Sequence, residues 1–128
     1  MTISLRTTVD LPFADAVTRT RDALAEQGFG VLTEIDVQAT MKAKLDADMD
    51  AYLILGACNP PLAHKAITAQ PIVGVLLPCN VVVREEAGAV VVEAIDPVAM
   101  MSVADDPALK EVADEAAERL GTAIASLG

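Results

Sequence analysis

The chain's two cysteines occupy look-alike settings. The first is Ile54-Leu55-Gly56-Ala57-Cys58-Asn59-Pro60, and the second is Val75-Leu76-Leu77-Pro78-Cys79-Asn80-Val81. Each is an apolar run ending in Cys-Asn with a proline beside the pair. Asn59-Pro60 reads as a helix cap followed by proline at the first helical position. The Cys58 sulfur is therefore expected near a helix N-terminus, where unpaired N–H groups and the macrodipole favour a thiolate. That is how a catalytic nucleophile is made. Cys79 lies where Pro78 interrupts a strand. If the two strands are neighbours, Cys58 and Cys79 form a redox or sulfur-relay pair. The spacing of 20 intervening residues matches no known redox signature. The structural alternative for both is a small buried hydrophobe at a strand end.

Other polar side chains gather near these stations. Asn59 and Asn80 are candidates to hold the polar atoms of a ligand, beside their ordinary capping and turn roles. Glu34, Asp36 and Lys44 form a polar cluster in which Asp36 is most simply an N-cap. Glu34 and Lys44 are expected to pair across a strand–helix corner. The functional version is a Glu base with a Lys partner, and the structural ion pair is the preferred one. His64 is the only histidine. With the cysteines and a carboxylate it would complete a metal set, but its helical position points away from the apolar face. No Cys-x2-Cys or His-x3-His pattern supports it, so no metal site is assigned. Gly-x-Gly-x-x-Gly, P-loop and Gly-x-Ser-x-Gly motifs are absent, which disfavours nucleotide use and serine hydrolysis. No cofactor is indicated.

The bulk properties exclude more. The chain of 128 residues carries 19 acidic and 9 basic side chains, a net charge of −10. Such a field repels nucleic-acid backbones and anionic membrane surfaces. Aromatic residues are limited to Phe13, Phe29 and Tyr52, so no base-stacking platform exists and the core must be aliphatic. Apolar residues make up 53%, yet no run reaches the roughly 18 residues of a membrane helix. The N-terminus lacks a secretion-type apolar segment. A cytoplasmic protein with reduced thiols, built as one domain over residues 1–128, is the expectation.

The elements that must position these residues follow from periodicity. Thr2–Val9 alternates as a half-buried strand. A helix after Pro12 carries Phe13, Ala16, Val17, Thr20 and Leu24 on one face, and Gly28 ends it with Phe29 folding back on Leu24. Gly30–Ile35 is a second strand. Asp36 caps a short helix, Val37–Leu45, and Asp46–Asp50 is an acidic connector. Tyr52–Ala57 is a third strand, followed by a helix with Leu62, Ala63, Ala66 and Ile67 inward. Ile72–Leu77 is read as a fourth strand that continues past Pro78 through Asn80–Glu85. Ala87-Gly88 turns a hairpin into Ala89–Ile95. Val98–Val103 is a short helix or turn. Pro107–Leu127 is the longest helix, with Leu109, Val112, Ala113, Ala116, Leu120, Ile124 and Leu127 along one stripe.

Val75-Leu76-Leu77 and Val81-Val82-Val83 are then apolar on both faces. Helices cover one face, and the other needs a cover. A second copy of the chain or a bound apolar ligand would provide it.

The segments Gly28–Asp36, Lys44-Leu45, Ile54–Pro60 and Leu76–Val81 together resemble the bacterial and archaeal family called "domain of unknown function 302". The resemblance covers nearly the whole chain. It implies an α+β fold of the TATA-box-binding-protein-like kind, an antiparallel β-sheet with helices packed on one face. It also implies homodimers, and it carries no established activity. This chain has Asp46 where a glycine commonly follows Lys-Leu.

Three functions fit these observations. The first is a small-molecule-binding module with an apolar pocket or dimer seam, and with Cys58, Asn59, Cys79 and Asn80 at its mouth. The second is a thiol-dependent enzyme or sulfur carrier using Cys58. The third is a homodimeric scaffold or partner-binding protein without catalysis. Binding ranks first, because the apolar excess needs a cover and the catalytic constellation is incomplete.

Overall fold

A computed structural model describes residues 3–128; Thr2, expected to open the first strand, lies outside them. Five strands, β1 (Ser4–Val9), β2 (Gly30–Asp36), β3 (Tyr52–Cys58), β4 (Cys79–Glu86) and β5 (Ala89–Ile95), form one sheet in the order β1-β5-β4-β3-β2. Every neighbouring pair is antiparallel. The helices are α1 (Phe13–Glu26), α2 (Val37–Leu45), α3 (Pro60–Ala69), α4 (Pro97–Met101) and α5 (Pro107–Ala125). The fold is α+β with a long C-terminal helix.

The register sorts the strand residues by face. Leu53, Leu55 and Ala57 of β3 lie opposite Val83, Val81 and Cys79 of β4. These pack with Leu24 of α1 and Leu120 and Ile124 of α5 in the main apolar core. Fully burying one such leucine contributes about 2 kcal/mol. A second apolar cluster joins Leu62 and Ala66 of α3, Val73, Met101 of α4, and Leu109, Val112, Ala113 and Ala116 of α5.

Local signals explain where the helices begin and end. Asp36, Asn59, Asp96 and Asp106 each cap a helix by accepting a backbone N–H, and the last three are followed by proline. At the end of α1, Gly28 takes φ +83°. Its N–H donates to the Ala25 carbonyl and that of Phe29 to the Leu24 carbonyl, the hydrogen-bond pair of a Schellman close. Asp46 closes α2 in the left-handed region at φ 53°, the conformation a glycine would take more easily. The expected hairpin turn carries positive φ at both Ala87 and Gly88.

One expected strand is absent. Ile72–Leu77 does not extend; Pro71–Leu76 winds into a 3₁₀ segment. The Val73 N–H bonds back to the Gln70 carbonyl, and the Leu77 N–H to that of Gly74. Cys79 already pairs with Ala57 near the end of β3, so residues before it lie beyond the strand, where the chain has turned into α3; this run closes its hydrogen bonds locally. It buries Val73 and leaves Ile72 and Val75 exposed. The two-faced apolar surface expected from Val75-Leu76-Leu77 therefore does not exist.

The face of the sheet opposite the main core is mixed. Glu93 accepts from Arg84 at 2.6 Å and from Ser4 at 3.0 Å, while Arg6 reaches Glu86 at 2.8 Å. These groups cross β1, β5 and β4. Toward β2 the same face becomes apolar, with Ile35 opposite Ile54 and Ile54 opposite Val82.

Candidate functional site

The register places Cys79, the first residue of β4, opposite Ala57, with Cys58 next along β3. Both strands therefore reach the same end of the sheet. From there β3 passes into α3 through Asn59, and the 3₁₀ segment enters β4 through Leu77 and Pro78. Between this sheet end and the helices α3, α4 and α5 lies a cavity of about 330 Å³. Leu62, Ala63, Ala66 and Ile67 come from α3, Met100 and Met101 from α4, and Val112, Ala113 and Ala116 from α5. Phe29, Leu32, Thr33, Leu77 and Pro78 complete the wall with Cys58, Asn59 and Cys79. No ionisable side chain other than the two thiols lines it.

Asn59 is held in place from two sides. Its Oδ1 accepts the Leu62 N–H at 3.4 Å, capping α3, and its Nδ2 donates to the Gln27 carbonyl at 3.5 Å. The side chain thus ties the start of α3 to the end of α1, and its residue is 8% exposed. Gly56 is a close-approach glycine. A methyl group there would overlap Thr33 Oγ1 and come within 2.8 Å of Pro78 Cγ. Thr33 and Pro78 both belong to the cavity wall, so the missing side chain at Gly56 lets that wall close.

The cysteines are free and differ in setting. Cys58 is half-buried and Cys79 is buried. Burial first, and the neighbouring Cys58 second, push the Cys79 thiol up to about 11. Burial thus holds it as the neutral thiol at physiological pH, and a neutral thiol is a poor nucleophile, because the thiolate is the reactive form.

Cys58, Asn59 and Cys79 meet in one cavity; the other three expected ligand residues lie elsewhere. Asn80 is exposed opposite Gly56, on the face of β4 that Cys79 does not use. The expected Glu34–Lys44 pair is not formed. Register puts Glu34 opposite Leu55, on the helix side of the sheet, and it pairs there with Arg21 of α1. Lys44 is exposed on α2, a helix with no buried residue, where Lys42 instead engages Asp46 and Asp48. His64 is exposed and outside the wall. Among the described residues no three His, Cys, Asp or Glu side chains converge as a metal set.

Met100 and Met101 escaped the sequence reading. The Asp96-Pro97 signal announced α4 but not what it packs against: Met101 is buried in the second cluster and Met100 packs against both.

Residues 5–127 match the family described as "domain of unknown function DUF302". The crystal structure of an uncharacterized conserved DUF302 protein from Bacillus stearothermophilus is similar over 100% of both chains. Its TM-score is 0.94 at 28% identity. No curated protein matches the chain. No helix among the described residues is long and apolar enough to cross a membrane.

Proposed function

Because the chain belongs to the DUF302 family, whose description supplies no reaction, we propose from its own cavity that it binds a small, uncharged, apolar molecule. The observation that carries this reading is the wall itself: mostly aliphatic and methionine side chains with Phe29, polar only at Thr33, Asn59 and the two thiols, and with no carboxylate, ammonium or guanidinium group. The volume of about 330 Å³ lies at the lower end of ordinary ligand sites, roughly 300–1,000 Å³. Methionine thioethers adapt their shape to apolar guests. A net charge of −10 disfavours anionic ligands such as fatty acids, which is why the ligand is assigned as neutral. Asn59 Nδ2, the Thr33 hydroxyl and the Cys58 thiol are polar groups able to orient it.

The thiol-enzyme alternative has less support. It retains only Cys58, because Cys79 is held neutral by burial. The protein's assembly is proposed as a homodimer, with a second copy over the apolar strip of Ile35, Ile54 and Val82; light scattering of the purified protein reads its mass directly.

The test is fluorescence titration with the neutral probe N-phenyl-1-naphthylamine. One saturable site per chain is expected. Ala63→Phe, which projects a ring from α3 into the cavity, should weaken binding at least tenfold while the circular dichroism spectrum is kept. No saturable binding, or equal binding by Ala63→Phe, overturns the proposal.

A further inference from the structure

The same cavity gathers a set of atoms that an apolar guest does not need. Both cysteines of the chain and two of its five methionines line it. Cys58 and Cys79 arrive on the adjoining ends of β3 and β4. Met100 and Met101 arrive on α4, whose start is fixed by the Val98 N–H donating to Asp96 Oδ1 at 2.9 Å. Met101 is 6% exposed, so its thioether is presented from a packed position.

Ligand chemistry narrows what such a set accepts. Calcium and magnesium take oxygen ligands, and no carboxylate lines the cavity. Structural zinc takes four cysteine or histidine donors, and only two are present, with His64 outside the wall. Thiolate and thioether sulfur together select soft ions, Cu(I) foremost. We infer that Cys58, Cys79, Met100 and Met101 form a binding site for a soft monovalent cation of the Cu(I) class.

Charge supports a monovalent ion. An uncompensated charge in an apolar wall is costly. Cys58, the more accessible thiol, loses one proton to solvent and forms one metal–sulfur bond as a thiolate. One thiolate and one Cu(I) are together neutral, and the thioethers of Met100 and Met101 add donors without adding charge. Cys79, buried on the adjoining strand, supplies the second cysteine sulfur. This inference goes beyond the apolar-ligand reading and stands apart from it. Probe titration of metal-free protein decides one, and Cu(I) loading decides the other.

The experiment is anaerobic titration of the reduced, full-length protein with Cu(I), in competition with bathocuproine disulfonate. X-ray absorption reads the coordination. One Cu(I) per chain with a sulfur-only first shell is expected. The double variant Met100→Leu, Met101→Leu keeps bulk and apolarity, and should weaken Cu(I) binding at least tenfold. Cys58→Ser should weaken it at least a hundredfold, and His64→Ala should leave it unchanged. Far-ultraviolet circular dichroism of each metal-free variant confirms that the fold is kept. A first shell containing nitrogen, or Cu(I) binding that persists in the folded methionine and cysteine variants, overturns the inference. So does a failure of Cu(I) to compete.

Discussion

Gly56→Ala is the substitution with the sharpest structural consequence. The added methyl would overlap Thr33 Oγ1 and stand 2.8 Å from Pro78 Cγ. Thr33 can turn its hydroxyl away on an exposed edge strand, but the Pro78 ring is rigid. Overpacking of this kind costs about 1–3 kcal/mol. Alanine recovers roughly 0.5–1 kcal/mol of the conformational entropy that a strand glycine loses on folding. The two ranges leave a net loss of up to about 2.5 kcal/mol, centred near 1 kcal/mol, or roughly 4 °C in Tm for a chain of this size. The assay is thermal and urea unfolding of four proteins: the parent, Gly56→Ala, Thr33→Ala and the double variant. Thr33→Ala removes the overlapping oxygen but leaves Pro78 in place. It should therefore return only part of the loss, with a coupling of about 0.5–1.5 kcal/mol. Gly56→Ala as stable as the parent, or strict additivity with Thr33→Ala, would refute the close approach and with it the way the cavity wall is closed.

Further predictions concern charge, thiols and capping. Hydrogen bonding to Arg84 holds the Glu93 carboxyl below its ordinary value of 4.5. A lowered folded-state pKa contributes stability that is fully present above the ordinary value and lost as pH falls through the lowered one. Glu93→Gln should therefore flatten the acid limb of the stability–pH curve below about pH 5, at a cost near neutrality of about 1 kcal/mol. Iodoacetamide at neutral pH should label Cys58 in the native protein and Cys79 only on unfolding, as peptide mass mapping will read; native labelling of Cys79 would contradict its burial. Asn59→Ala should lose about 1–2 kcal/mol through the lost α3 cap, and Asn59→Asp, which keeps the cap acceptor but loses the donor to the Gln27 carbonyl, should recover only part of it in urea unfolding.

Much of the fold was legible because its signals are local. Asn59-Pro60, Asp96-Pro97 and Asp106-Pro107 announce three helices through a side-chain cap and a proline that needs no N–H donor. Gly28 announces the close of α1 in the same way. Ile72–Leu77 misled because β-branched and leucine side chains suit either a strand or a tight turn; the deciding fact was that β3 ends opposite Cys79, which no local pattern records. The site was legible in part. Cys58, Asn59 and Cys79 converge because antiparallel pairing brings the end of β3 to the start of β4. Glu34 found Arg21 rather than Lys44 because strand register, not sequence proximity, chose its face. Met100 and Met101 stayed hidden, since nothing local links α4 to β3.

A guest held in the cavity beneath α3 and α4 must sit against methionine methyl groups, and NMR of those methyls reads it. With carbon-13-labelled methionine methyl groups, metal-free protein is titrated with N-phenyl-1-naphthylamine. Met100 and Met101 line the cavity, whereas Met41 and Met49 lie on α2 and the connector after it. Saturable shifts at Met100 and Met101, with Met41 and Met49 unmoved, are expected. Shifts at Met41 and Met49 instead, or no saturable change at any of the four, would contradict binding there.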